Sequence, residues 1–309
     1  MKGPLFYSKI LLFGEYGIIK DSKGLSIPYN FYKGALKTDE NPSETAKKSN
    51  YNLKRFVQFL RTLDSKFVRF DFDNLQKDVD AGMYFDSSIP QGYGVGSSGA
   101  LVAAIYDKYA EDKITVLENL TREKLLKLKA IFSEMESFFH GKSSGLDPLN
   151  SYLSLPILIN SKDNIEATGI PSQKTEGKGA VFLLDSGVVG ETAPMVSIFM
   201  ENMKQDGFRK MIKNQFIKHT DACVEDFLKG DIKSLFHNTK KLSKVVLNHF
   251  KPMIPQQFHE LWKKGLETNE YYLKLCGSGG GGYILGFTED FEKAQTALRD
   301  YRLEVVYNF

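Results

Sequence analysis

Three glycine-bearing segments and one carboxylate on an apolar helix face hold the chemistry this sequence could perform. The first segment is Pro90-Gln-Gly-Tyr-Gly-Val-Gly-Ser-Ser-Gly-Ala100, which runs directly into an apolar stretch. Gly92, Gly94 and Gly96 allow the backbone to come close to a ligand, and Ser97, Ser98 and Gly99 open the helix that follows. A helix N-terminus offers unpaired N–H groups and a positive dipole end, so this pattern reads as a phosphate cradle. The plainer reading is a tight loop into a buried helix. A Walker A loop is excluded because no lysine follows the glycines. Gly94, Gly96 and Gly99 spell GxGxxG, but Ser87, Ser88, Pro90 and Gln91 stand where the dinucleotide fingerprint needs a strand.

The second segment is His140-Gly-Lys-Ser-Ser-Gly-Leu-Asp147, with Glu136 eleven residues before the aspartate. On a helix, Glu136 follows Phe132 by four residues and Leu128 by eight, so it faces the apolar side. A carboxylate there needs a partner, which a metal ion or a lysine would supply. A buried salt bridge satisfies the pattern equally well. The third segment is Lys274-Leu-Cys-Gly-Ser-Gly-Gly-Gly-Gly-Tyr283. Four successive glycines exceed what a hairpin requires and point to close approach of another backbone or a ligand. A fourth piece is Lys9 at the start of an apolar run that ends in Gly14-Glu15. Six residues apart on a strand, Lys9 and Glu15 would share a face.

These residues must be positioned by a mixture of strands and helices. Lys9 to Phe13, Phe67 to Phe72, Tyr84 to Ile89, Tyr152 to Ile159, Ala180 to Leu184, Tyr271 to Leu275 and Tyr283 to Phe287 read as strands. The polar run 38–51 reads as a surface loop, after which Asn52 would cap a helix over 53–63. Leu101 to Tyr109 reads as a buried helix. Arg122 to Phe139 reads as an amphipathic one, with Thr121 as N-cap and Gly141 as its stop. Asp147 would lie in a turn before the next strand. Residues 160–178 are the natural place for a domain boundary. Val196 to Phe250 reads as mostly helical, its lysines forming a solvated face. Strands interleaved with helices in both halves predict an α+β fold.

Composition narrows the class. The chain has 309 residues, 42% hydrophobic and 26% charged, with a net charge of +3. That supports one large domain or two modest ones and excludes wholesale disorder. The near-balance of charge gives no support to a nucleic-acid binder. Two cysteines, Cys223 and Cys276, make no disulfide framework and no CxxC zinc site. The start of the chain does not read as a signal peptide, and no run approaches the ~18–20 apolar residues of a membrane span. The expectation is a cytoplasmic protein without nucleic-acid or membrane partners.

Together the segments resemble the GHMP family of small-molecule kinases. Lys9-Ile-Leu-Leu-Phe-Gly-Glu-Tyr16 is similar to the first family motif, Pro90 through Ala100 to the second, and Gly277-Ser-Gly-Gly-Gly-Gly282 to the third. The three stand in the family's order. The stretch His140 to Asp147 is most similar to the HGxPSGxD signature of the mevalonate kinases, and Glu136 fills the place of their metal-binding glutamate. Ser186 to Val196, with Thr192, loosely resembles a later segment near the substrate. Three positions depart from that branch. Tyr16 stands where histidine is usual, and a Gly-Glu-Tyr start is common in phosphomevalonate kinases. Ser143 replaces proline, and Cys276 replaces threonine or serine. These departures bear on the acceptor more than on the reaction.

The resemblance implies a two-lobed α+β GHMP kinase fold. Residues 1–175 would form a lobe like ribosomal protein S5 domain 2, and residues 176–309 a ferredoxin-like lobe, with ATP and acceptor meeting between them. It implies that Gly92, Gly94, Gly96, Ser97, Ser98 and Gly99 hold the ATP phosphates and that Ser98 and Glu136 ligate Mg²⁺. Asp147 would take the proton of the acceptor hydroxyl, and Lys9 beside it would keep it ionised. Glu15, Tyr16, His140, Ser144 and Thr192 become candidate acceptor contacts, although His140 by itself reads as a helix C-terminal cap. The implied activity is ATP-dependent phosphorylation of mevalonate, feeding isoprenoid synthesis, by a monomer or homodimer. Phosphomevalonate is the nearest alternative acceptor, with Lys142 as an added cation. A metabolite sensor without catalysis is the alternative of a different class.

Overall fold

The computed structural model describes residues 3–115, 119–174 and 176–309. The chain forms two compact units that interleave along the sequence. The first contains Met1–Lys9, Pro28–Pro90 and Gly96–Leu155; the second contains Ile10–Ile27, Gln91–Val95 and Pro156–Phe309.

Two strands pass from one unit into the other, β1 (Phe6–Phe13) and β2 (Gly24–Lys37). In the first unit they are followed by α1 (Glu44–Leu60), α2 (Phe72–Asp80), β3 (Tyr84–Ser87), α3 (Ser97–Tyr109), α4 (Arg122–His140) and α5 (Leu146–Leu153). The C-terminal end of β2 pairs antiparallel with β3, Ala35 opposite Asp86. α3 is buried along almost its whole length, as its Ala, Val and Ile content requires, and it packs on both α4 and α5. α4 buries Leu125, Leu128, Ile131, Phe132 and Met135 at helical spacing. Its ends are set by Thr121, whose side chain accepts from the Lys124 N–H, and by Gly141 at φ 72°.

Several expected elements differ. Helix α1 begins nine residues earlier than the apolar pattern suggests. Ser43 rather than Asn52 is its cap, its Oγ accepting from the Ala46 N–H at 3.2 Å. The first half of the helix turns polar residues to solvent, which is why 38–51 reads as a loop. Phe67 to Phe72 is not a strand. Only Phe70 makes a bridge, to Ala110, because Asp71 caps α2 immediately afterwards. The run from Tyr152 starts as the last turns of α5, and β4 (Ile157–Ser161) begins only after Ser154, which stands in the left-handed region at φ 51°.

The second unit holds β4, β5 (Asn164–Ala167) and a four-stranded antiparallel sheet of β6 (Ala180–Asp185), β7 (Tyr272–Leu275), β8 (Tyr283–Thr288) and β9 (Leu303–Asn308) in the order β7-β8-β6-β9. Between β6 and β7 run α6 (Thr192–Asn202), α7 (Asp206–Met211), a π turn (Ile212–Ile217), α8 (Lys218–Lys229), α9 (Ile232–His249) and α10 (His259–Thr268); α11 (Phe291–Ala297) joins β8 to β9. A strand, a helical excursion, two strands, a helix and a strand, with the last strand beside the first, is the split βαβ arrangement of ferredoxin-like sheets. The N-terminal end of β2 pairs with β4, Leu25 opposite Leu158. Among the described residues, no helix is long and apolar enough to cross a membrane.

Candidate active site

In the first unit, the predicted residues meet around the start of α3. Gly96, at φ 83°, is the N-cap. A Cβ there would stand 3.1 Å from Cγ of Lys9, so the bare glycine lets the lysine stem lie against the helix start. The Lys9 side chain is only 4% exposed, and its Nζ lies 2.8 Å from Oδ1 of Asp147, whose side chain is 35% exposed. Asp147 sits in the first turn of α5 rather than in a turn before a strand. A Cβ on Gly99 would lie 2.7 Å from the Asp147 carbonyl carbon and from the Pro148 nitrogen, so α3 and α5 meet backbone to backbone at the aspartate.

That contact makes a prediction. Gly99→Ala adds a good helix former but overpacks the α3–α5 crossing. The variant is expected to lose roughly 1–3 kcal/mol of stability and to shift Asp147. Chemical denaturation checks the first effect, and comparison of the Lys9 and Asp147 resonances with those of the parent checks the second.

Ser97 begins the helix, and Ser98 Oγ donates to Oε1 of Glu136 at 2.8 Å. Ser143 Oγ donates to Oε2 of the same carboxylate and accepts from the Gly145 N–H at 3.0 Å. His140 Nε2 lies 3.0 Å from Ser98 Oγ. Ser98 has one proton and gives it to Glu136, so this pattern assigns the Nε2 proton to His140 as donor. Glu136 is 3% exposed. Burial, followed by the charge of Asp147, pushes its carboxyl up to about 7, against the pull of the two serine hydroxyls and Lys9. His140 therefore reaches into this cluster as well as ending α4. Ser144 lies one residue before the helix cap, its Oγ accepting from the Leu146 N–H at 3.3 Å.

The remaining predicted residues lie in the second unit. β1 ends at Phe13 and Gly14 turns at φ 117°, so the two-residue period of the strand does not carry to Glu15. Glu15 instead forms a buried ion pair with Lys274 on β7, and the Lys274 ammonium also donates to the Leu275 carbonyl at 2.8 Å. Tyr16 stands in the left-handed region at φ 57°, a conformation costly for a bulky residue. Its ring stacks on Phe199 at 4.7 Å and meets Phe250 at 5.8 Å. Its hydroxyl donates to the Ser278 carbonyl at 2.6 Å. Burial, and then the Glu15 charge, raise its pKa, so it serves as a donor. Thr192, the exposed first residue of α6, accepts from Ser278 Oγ at 3.3 Å.

Gly92 accepts from the Gly190 N–H at 2.9 Å, and Gly94 lies against the carbonyl of Cys276. The four glycines 279–282 are explained by close backbone approach. A Cβ on Gly282 would come within 2.5 Å of Cα of Tyr93, and one on Gly281 within 2.7 Å of the Val188 carbonyl oxygen. Sequence reasoning did not single out Lys274 or the hydroxyl of Ser143. The signal for Lys274 is a lysine inside the apolar run Tyr271 to Leu275.

Known proteins resemble this chain in part of its sequence and in its fold. Residues 55–154 match the family described as GHMP kinases N terminal domain. Among solved structures, a mevalonate kinase of L. major in complex with R-mevalonate is 17% identical, covers 97% of this chain and 93% of its own, and superposes with a TM-score of 0.61. A Streptococcus pneumoniae phosphomevalonate kinase in complex with phosphomevalonate and AMPPNP is 13% identical, covers 98% of each chain and gives 0.60. A Lactococcus lactis galactokinase complexed with galactose is 12% identical, covers 98% of this chain and 92% of its own, and gives 0.65. No curated protein matches the chain in sequence. The likeness to these structures establishes the fold and leaves the acceptor open.

Proposed function

We propose that this chain is a GHMP kinase and that it transfers the γ-phosphate of ATP to the hydroxyl of mevalonate. The observation that carries this reading is the Lys9–Asp147 pair, held at 2.8 Å against the same helix start that presents Ser98 to Glu136. Phosphoryl transfer asks for positioning and for stabilisation of spreading charge rather than for covalent chemistry. The free N–H groups at the start of α3, around Gly96 to Gly99, suit the phosphates of ATP. Asp147, partly open to solvent, accepts the hydroxyl proton as the oxygen–phosphorus bond forms, and Lys9 balances its charge. His140, Ser144, Glu15, Tyr16 and Thr192 are the proposed acceptor contacts.

A carboxylate and a serine hydroxyl are the hard oxygen donors that Mg²⁺ takes. Ser98 and Glu136 fit that ion, although no group of three or more His, Cys, Asp or Glu side chains among the described residues could cage a metal. That is the donor set of an ion that draws its other ligands from phosphate and water. When bound, Mg²⁺ supplies neutralisation of phosphate charge.

Glu136 links this proposal to stability. Its folded value of about 7 lies above the ordinary 4.5, so the folded state holds this proton more tightly than the unfolded state. The metal-free protein is therefore expected to have the full contribution of this group below about pH 4.5 and to lose it as pH rises through 7. Glu136→Gln removes the ionised form. At pH 8 it is expected to melt higher than the parent, by up to roughly 3 kcal/mol in stability, while losing Mg²⁺-dependent stabilisation. Melting curves at pH 5 and pH 8, with and without Mg²⁺, test both halves.

The acceptor is tested by ADP release with ATP and Mg²⁺ against mevalonate, phosphomevalonate, homoserine and galactose. Turnover on mevalonate alone is the expected result. Turnover on phosphomevalonate alone would keep the chemistry and move the acceptor, with Tyr16 in its Gly-Glu-Tyr setting as the reason. ATP binding with no turnover on any acceptor would support the sensor reading.

A further inference from the structure

The hydroxyl of Ser143 has no part in the chemistry proposed above, yet it binds the carboxylate at the centre of the cluster. Its Oγ accepts from the Gly145 N–H at 3.0 Å and donates its single proton to Oε2 of Glu136. The backbone around it is held on α4 from two sides. Ser133, three residues before Glu136 on that helix, donates from Oγ to the Ser143 carbonyl at 2.5 Å. Gly145, at φ 71°, lies so close to the helix that a Cβ would collide with the Lys129 carbonyl oxygen. The loop that carries Ser143 is thus fixed on the helix that carries Glu136.

The result is a carboxylate with two unlike oxygens. Oε2 is engaged by Ser143, and Oε1 stands 2.8 Å from Ser98 Oγ. Oxygens on neighbouring corners of an octahedron with bonds of ~2.0–2.1 Å are ~2.9 Å apart. Oε1 and Ser98 Oγ therefore already have the separation of two adjacent Mg²⁺ ligands. Ca²⁺ is larger, at ~2.3–2.6 Å, and takes carboxylates through one oxygen or both. A glutamate with Oε2 engaged elsewhere offers the second mode poorly.

We propose that Ser143 is a positioning residue for the metal carboxylate: by holding Oε2 it leaves Oε1 alone, beside Ser98 Oγ, as the oxygen offered to a small octahedral cation. The inference rests on the reading of Ser98 and Glu136 as the Mg²⁺ pair, and adds to it a preference against larger cations. Proline, the residue of the HGxPSGxD signature at this place, has no side-chain donor. The hold on Oε2 is therefore a property of this chain's own departure from that signature.

The test needs no turnover. Binding of Mn²⁺ to the full chain with ADP is read from the paramagnetic resonance of the free ion, and Ca²⁺ is then used to displace it. Ser143→Ala is expected to weaken Mn²⁺ at least ~10-fold, the scale for losing a group that orients a metal ligand. Ca²⁺ should weaken less, so the ratio of the two affinities falls. Ser143→Thr keeps the hydroxyl and is expected to restore both the affinity and the ratio. Parent-like Mn²⁺ affinity in Ser143→Ala overturns the proposal, and so does an equal loss for both ions. The same loss in Ser143→Thr as in Ser143→Ala also overturns it, because the shape of the loop rather than the hydroxyl would then matter. Glu136→Gln separates this failure from that of the underlying reading. Weak Mn²⁺ binding in Glu136→Gln beside normal binding in Ser143→Ala would remove Ser143 alone, whereas normal binding in Glu136→Gln would remove the metal pair and this proposal with it.

Discussion

Asp147→Asn is expected to lower kcat by at least ~10²-fold, the usual scale for an acid–base group, with ATP affinity little changed. Asparagine keeps the size of the side chain, and its Oδ1 can still accept from Lys9, so the cluster at the start of α3 retains its shape. What it removes is the negative charge and the proton acceptor. Alanine is a less clean probe. Lys9 is 4% exposed, and truncating Asp147 takes away the counter-charge bonded to it at 2.8 Å. A buried ammonium without that partner would destabilise the protein and confuse the kinetic result. The measurement is steady-state turnover together with a melting curve and an ATP-binding isotherm for each variant. Near-normal turnover in a folded Asp147→Asn protein would remove the aspartate from the proposed chemistry.

Lys274→Met is expected to produce the largest loss of stability of any single substitution considered, about 3–5 kcal/mol by chemical denaturation. Lys274 is 2% exposed and Glu15 7% exposed. Removing the lysine leaves the glutamate buried without its counter-charge, at the strained corner that carries Tyr16. Removing both charges is a different experiment. Glu15→Met combined with Lys274→Met replaces the pair by apolar side chains of similar length, and most of the lost stability should return. A double-mutant cycle reads the coupling directly. If the double variant is no more stable than Lys274→Met alone, the ion pair is not what holds the corner to β7.

Both predictions rest on residues of unequal visibility in the sequence. Lys9, Ser98, Glu136 and Asp147 are legible because each stands at a fixed place in a glycine-bearing motif or on an apolar helix face. The packing on α4 that buries Glu136 follows from its spacing to Leu128 and Phe132. The Glu15–Lys274 pair is not legible in this way. Strand periodicity places Glu15 on the face of Lys9, but Gly14 breaks the strand first, and its actual partner is 259 residues away. The same limit explains the misread elements. Helix α1 starts in a polar run because its first turns face solvent, and only the cap at Ser43 marks it. Phe67 to Phe72 alternates like a strand over six residues, too few to outweigh the capping aspartate that ends the pattern. Long-range pairing and short ambiguous runs are decided by tertiary context, which local spacing does not contain.

The interleaving of the two units sets an order of events during synthesis. Every segment of the first unit has left the ribosome once residue 155 has emerged, so that unit can close while the chain is still growing. Ile10–Ile27 is among the first segments made, yet several of its partners come last. Glu15 waits for Lys274, and the hydroxyl of Tyr16 waits for the carbonyl of Ser278, 262 residues downstream. Contacts of such separation form slowly. Ile10–Phe13 can pair with β2 early, but Phe13 spends most of translation without Phe287, the ring on which it stacks at 5.3 Å. A nascent chain held with residue 274 still inside the ribosome should present Phe13 to chaperones, whereas one extended at its C-terminus until residue 287 has emerged should begin to protect it. The earliest piece of the protein is thus among the last to become native.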